Sequence, residues 1–330
     1  MSSVERVPEL AGVRGRTGDV VAAARARGAV QLCRGVLRRF RYGDGVSHSR
    51  ALGLQLALAA LPLIIALIGL SGALEASAVR HVLQRTVLEL TPGASDPLIR
   101  RTLPSVKGTA LSGTALAVAL VSAVVALTTA MAQIERGANR IYGIQRDRPF
   151  AAKYGRTLVL AVGAGLPVLG GSVVLVAGGA FAAAMEGVVG VEDDVVAALT
   201  WPAGVGLVVG AIAVMVRWCP ARRQPGGILL ALGTGVAFGS WVALTLLLAG
   251  FLHLSTDFGA VYGPLTGVIA LLLWAQLASA AVFLGLAVSA ELELAVAHTG
   301  GTAQDRLAVR PQSGPDGALV VMTSTPASFR

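Results

Sequence analysis

Residues 51–74 read ALGLQLALAALPLIIALIGLSGAL, a run without a formal charge between Arg50 and Glu75. A helix rises about 1.5 Å per residue, so roughly 20 residues cross a hydrocarbon layer of about 30 Å. This run is long enough to do so. Working outward from it, further charge-free runs of more than twenty residues lie between Lys107 and Glu135, Arg156 and Glu186, Asp194 and Arg217, Arg223 and Asp257, and Asp257 and Glu291. Irregular chain cannot enter lipid with its amides unpaired, and barrel strands are about 10 alternating residues long, so the runs read as helices. The expected fold is an all-α integral membrane protein with six transmembrane helices, at about 51–71, 109–134, 157–183, 196–217, 226–252 and 262–290.

The basic residues orient this ladder. Of 27 Lys and Arg, 22 fall in the first 50 residues, the links after spans two and four, and the tail. The remaining five (Arg80, Arg85, Arg100, Arg101, Lys107) share one opposite link. The positive-inside rule then places both termini in the cytoplasm. A net charge of +9 would suggest nucleic acid in a soluble chain. Here the cations border spans, so anionic membrane lipids are the expected partner and nucleic acid is not. Hydrophobic residues make up 55% of the chain and mean hydropathy is +0.72, which calls for lipid contact rather than a soluble core. The basic start shows no early apolar run with a small-residue cleavage site, so no removable leader is expected. Cys33 and Cys219 both map to the reducing side and imply no disulfide and no metal site.

Domain organisation follows. Residues 1–18 are polar and Gly/Arg-rich and read as disordered, 19–298 as the membrane domain, and 299–330 as a disordered cytoplasmic tail. Within the membrane domain, 19–41 reads as an N-terminal amphipathic interfacial helix. Val30, Cys33, Leu37 and Phe40 share one face of it, and Arg27, Arg34, Arg38 and Arg41 another. The link 75–108 is a long outer loop with helical pieces broken at Thr91-Pro92-Gly93; loops of this length are commonly functional. Gly206 with Gly210 and Gly235 with Gly239 are four apart, the spacing that lets helix backbones approach. Trp201 and Trp218 bracket span four as interfacial anchors, whereas Trp241 and Trp274 fall mid-span.

The spans lack ionisable groups, since Glu135, Glu186, Glu291 and Glu293 read as helix-end charges. A carboxylate-coupled antiporter is therefore disfavoured. Neutral polar residues inside the bilayer are Gln55, Ser122, Thr128, Thr129, Ser240, Gln276 and Ser279, expected to hydrogen-bond between helices. Pro62 should kink span one. Cations and aromatics crowd the link after span two: Asn139, Arg140, Tyr142, Arg146, Arg148, Lys153, Tyr154 and Arg156. A guanidinium pairs with phosphate through two donors, so Arg140, Arg146, Arg148, Lys153 and Arg156, with Arg100 and Arg101 opposite, are candidate contacts for lipid headgroups or phosphorylated lipid-linked molecules.

Several segments match a known pattern: Leu61-Pro62-Leu63; Ala138-Asn139-Arg140-Ile141-Tyr142-Gly143 followed by Arg148-Pro149-Phe150; and Pro220 with Arg222 and Arg223. The most specific is Tyr262-Gly263-Pro264-Leu265-Thr266-Gly267-Val268-Ile269-Ala270-Leu271-Leu272-Leu273-Trp274, running on to Gly285 and Glu291. Over about residues 30–295 the chain resembles the YihY/BrkB family of bacterial inner-membrane proteins, including its YhjD branch. The resemblance implies a six-helix inner-membrane protein linked to envelope integrity. It marks Pro62, Asn139, Tyr142, Tyr262, Gly263, Trp274, Gly285 and Glu291 as motif residues, and Gln55 and Gln276 join them as candidate interior polar residues. Some members have carried a ribonuclease label, but His48, His81, His253 and His298 are scattered over several links and no His/Asp cluster supports metal-dependent hydrolysis. No phosphate-binding Gly-rich Lys motif or Ser/His/Asp signature occurs. The expectation is a protein without enzymatic activity, catalytic residues, metal or cofactor. It would be a transporter or flippase of lipid or lipid-linked envelope precursors. The alternative is a non-transporting scaffold binding anionic lipid, envelope partner proteins or further copies of itself.

Overall fold

The computed structural model describes residues 4–9, 17–73, 113–144, 148–176, 193–225, 227–255 and 261–308. Their regular structure is helical throughout, with no strand among the described residues. Helices α1 (Thr17–Arg27) and α2 (Ala29–Tyr42) precede α3 (Gly45–Ala73), α4 (Gly113–Ile141) and α5 (Phe150–Leu160). A π turn (Ala161–Gly165) joins α5 to α6 (Leu166–Val176); then come α7 (Asp193–Trp218), α8 (Ile228–Leu254), a 3-10 turn (Gly263–Leu265) and α9 (Thr266–Ala308). Among the described residues, six stretches are long and apolar enough to cross a membrane: Gly45–Leu67, Gly113–Ile141, Phe150–Ser172, Ala198–Trp218, Ile228–Leu254 and Thr266–Thr299. They occur in the order read from the sequence.

The structure departs from the expected boundaries in ways that matter. Helix α4 continues past residue 134 to Ile141, and α9 past residue 290 to Ala308. Glu135, Glu291 and Glu293 therefore lie within helical turns rather than at helix ends. The expected disordered tail from residue 299 begins instead as helix, and the expected disordered start includes a packed piece, residues 4–9, with Val7 buried. The rest of that tail and the outer loop 75–108 lie outside the described residues. The single interfacial helix expected at 19–41 is two helices. Gly28 separates them at φ 77°, a left-handed conformation that costs glycine little, and its N–H still donates to the Ala24 carbonyl.

Helix α9 is central and packs against α8, α3, α2 and α1, while α3 pairs with α4 and α7 with α6 and α8. Small residues permit these approaches. A Cβ at Gly285 would fall 2.5 Å from the Gly233 carbonyl oxygen and 2.6 Å from Ala237 Cβ, and one at Gly53 would fall 2.7 Å from Gln276 Cα. The glycines expected to pack, Gly206, Gly210, Gly235 and Gly239, meet nothing and face outward. Contacts to α9 run instead along Gly233 and Ala237, two residues out of phase, and α6 meets α7 at Gly171 and Gly204. The polar side chains expected to bridge helices also behave differently. Thr128, Thr129 and Ser279 donate to carbonyls of their own helices, whereas Ser289 reaches the Leu229 carbonyl across to α8. Mid-span Trp274 is satisfied by Thr245 Oγ1 at 3.2 Å, and Trp201 and Trp218 are exposed near opposite ends of α7.

Candidate functional site

The buried core thickens toward one end of the bundle, where the basic links gather. There α9 carries Glu291 and Glu293, and α4 carries Glu135, all at most 1% exposed. Two residues apart on a helix is about 200° of rotation, so the α9 carboxylates point to different sides. Glu291 faces α2, where Arg39 Nε lies 3.1 Å from one oxygen and Arg27 on α1 lies 3.2 Å from the other. Gly35 makes room for it, since a Cβ there would collide with the Glu291 carboxyl group. Glu293 faces the link after α7. Arg222 pairs with it at 2.7 Å, and the Tyr142 hydroxyl donates to its other oxygen at 3.1 Å. The Arg222 guanidinium also stacks over the Tyr142 ring, 4.9 Å from its centroid. Burial, then the Glu293 carboxylate, pushes the Tyr142 phenol well above its ordinary range.

Glu135 pairs with Arg148 at 3.0 Å. The same guanidinium donates to the carbonyls of Cys219 and Pro220, and Arg156 donates to the Trp218 carbonyl at 2.9 Å. These carbonyls end α7, where a helix leaves acceptors without internal partners and favours positive charge. Asn139 accepts the Ala221 N–H at 2.8 Å and so ties the same link to α4. Burial, then Glu135, raises the Cys219 thiol to about 12. Beside this network the Gln133 amide lies 2.8 Å from His48 Nδ1 on α3.

A segment before α1 crosses this end. Val7 is buried and donates its N–H to the Tyr142 carbonyl at 3.2 Å. Arg39 donates to the carbonyls of Glu5 and Ile141, and Arg222 to those of Val7 and Pro8. Charges buried this thoroughly need partners, and removing one partner of such a pair typically costs about 3–5 kcal/mol; both Glu135 oxygens and Glu291 Oε1 rely on ion pairing without a hydrogen bond. The cluster locks α1, α2, α4, α9 and two links into one closed end.

Away from that end, an open cleft of about 480 Å³ lies between α3 and α4, lined by Leu61, Pro62, Ile65, Thr114, Val118 and Ser122 among others. Its walls are almost wholly apolar. Pro62 sits inside α3, where it removes one helical hydrogen bond. The π turn at Ala161–Gly165 is a second irregularity within a span.

The nominated residues thus divide. Asn139, Tyr142, Arg148, Lys153, Arg156 and Glu291 gather at the closed end, where Arg148 and Arg156 are engaged by the protein's own groups and Lys153 is buried rather than presented to an open surface. Arg140 is exposed there. Gly285 serves the α8–α9 crossing; Gln55 and Gln276 lie along α3 and α9, the Gln55 oxygen buried without a hydrogen bond and Gln276 exposed. Tyr262 and Gly263 enter α9 at the opposite end. Arg100, Arg101 and Arg146 lie outside the described residues. Sequence reasoning missed Arg27, Arg39, Arg222, Glu135 and Glu293 as members of one cluster, although carboxylates abutting apolar runs signal buried charge in need of partners. Among the described residues no three His, Cys, Asp or Glu side chains converge as metal ligands would.

A family model described as virulence factor BrkB matches residues 36–308. No curated protein and no solved structure matches the chain significantly.

Proposed function

The chain belongs to the virulence factor BrkB family and is a multi-pass membrane protein, and on that premise we propose that it moves a lipid or lipid-linked envelope precursor across the bacterial inner membrane. The observation that supports this reading is an ion-paired end combined with an apolar cleft elsewhere in the bundle. One end is closed by buried ion pairs drawn from separate elements, while an almost wholly apolar cleft lies open beside Pro62 between two membrane-spanning helices. A path that admits lipid from one leaflet while sealed at the other is what alternating access requires. In this reading the closed, basic end faces the cytoplasm, and the role in envelope integrity follows from the movement of the precursor. The reaction is transport, with no bond made or broken. The test is reconstitution into vesicles with fluorescent phosphatidylglycerol and a polyprenyl-phosphate analogue. Accelerated crossing of either supports transport, and rates equal to protein-free vesicles for both reject it.

The second reading, a non-transporting scaffold, draws on α2. Val30, Cys33 and Leu37 form an exposed apolar face flanked by exposed Arg34, Arg38 and Arg41, suited to lie on an anionic leaflet. Under that reading Leu37→Glu disrupts envelope integrity, whereas substitutions lining the α3–α4 cleft are tolerated. Loss of integrity on blocking the cleft with Val118→Trp, at unchanged protein level, would argue for transport.

A further inference from the structure

We propose that residues 4–9 are a removable strap over an anion site formed by Arg39 and Arg222, whose occupant carries a phosphate group. The strap's carbonyl oxygens hold the positions that phosphate oxygens would take: Glu5 accepts from Arg39 at 3.1 Å, and Val7 and Pro8 each accept from Arg222 at 3.2 Å. Guanidinium donors bind charged phosphate oxygens more strongly than neutral carbonyls. Charge balance favours the exchange. Among the described residues, the ion pairs of this end set four guanidinium groups (Arg27, Arg39, Arg148 and Arg222) against three carboxylates (Glu135, Glu291 and Glu293).

Apart from the guanidinium donors themselves, the strap is held by the buried Val7 side chain and by the Val7 N–H bond to the Tyr142 carbonyl. Val7 is its buried anchor, while Glu5, Arg6, Pro8 and Glu9 are exposed. Its contact of Glu5 with His298 joins two exposed side chains, which contributes little. It approaches closely because position 143 is glycine, where a Cβ would fall 2.8 Å from Arg6 Cα.

The site's depth suits a headgroup. Glu293, which holds Arg222, lies about 40 Å along α9 from Thr266, beyond a hydrocarbon layer of about 30 Å. A phosphate there comes either from a phospholipid headgroup or from a free phosphate, and the chemistry is shared. Lipid binding at this place is independent of transport: a chain that binds phosphatidylglycerol but moves none keeps the site and loses the transport reading.

The experiment compares wild type, Val7→Asp and Val7→Asp/Arg222→Lys, purified in detergent, by native mass spectrometry with phosphatidylglycerol, diacylglycerol and inorganic phosphate. Val7→Asp should raise retention of phosphatidylglycerol by about tenfold, and Arg222→Lys, which keeps the charge on Glu293 but not the forked donor, should abolish the gain. Displacement of the lipid by inorganic phosphate assigns the site to phosphate alone; resistance to displacement assigns it to the headgroup. Equal retention by wild type and Val7→Asp, an equal gain for diacylglycerol, or a gain that survives Arg222→Lys overturns the proposal. Should Val7→Asp not fold, the wild-type chain decides by hydrogen exchange: phosphatidylglycerol must speed exchange of the Val7 amide, and unchanged exchange overturns the site.

Discussion

Arg39 shows what a single side chain does at the closed end. Its guanidinium pairs with Glu291 and donates to two carbonyls from separate segments, all with 4% of the residue exposed. Arg39→Ala leaves the Glu291 carboxylate only Arg27, and thermal unfolding in detergent should show a loss of about 3 kcal/mol. Arg140→Ala removes an exposed cation of the same region and should stay within about 0.5 kcal/mol of wild type. The two positions look alike in sequence. Burial separates them, and burial is set by which helix lies opposite. Cys219 gives a chemical readout of the same enclosure. With its thiol raised to about 12 by burial and by Glu135, it carries almost no thiolate at pH 8. A maleimide should leave it unmodified in the folded protein and label it fully after denaturation.

At the scale of elements, the positions of the helices were legible and their faces were not. Apolar length reveals a span whichever way it is turned, because lipid accepts every side of it. Facing depends on partners distant in sequence, and glycines illustrate this. Gly235 and Gly239 have the expected spacing yet look outward, while Gly233 and Ala237 meet Gly285 and Ser289. Gly233→Val should therefore separate α8 from α9 and lower the unfolding temperature by several degrees, whereas Gly239→Val should leave it nearly unchanged; similar losses for both would contradict the packing. Boundaries were missed for a related reason. Charges at Glu135 and Glu291 read as stops, but ion pairs neutralise them, and α4 and α9 continue through.

For the whole molecule, orientation is the property that the proposed function needs first. Cys33 is exposed on α2 and Cys219 is buried, so the natural chain already carries one accessible thiol for mapping. A membrane-impermeant maleimide should label Cys33 in inside-out membrane vesicles and spare it in right-side-out ones. Labelling in right-side-out vesicles would reverse the proposed orientation and move the closed end outside. The number of spans, their order and the lopsided basic links are properties of the sequence alone, since transfer into lipid depends on local apolar length and charge. The motif residues of the candidate site could be picked out there too, but their roles could not. Only the tertiary structure brought Arg27, Arg39, Arg148 and Arg222 against three glutamates from two helices, turning residues that read as headgroup contacts or topology signals into a buried lock. The physical reason is that a charge's worth depends on its surroundings. At an exposed surface water screens it, and in a buried end it must find a partner that sequence distance does not reveal.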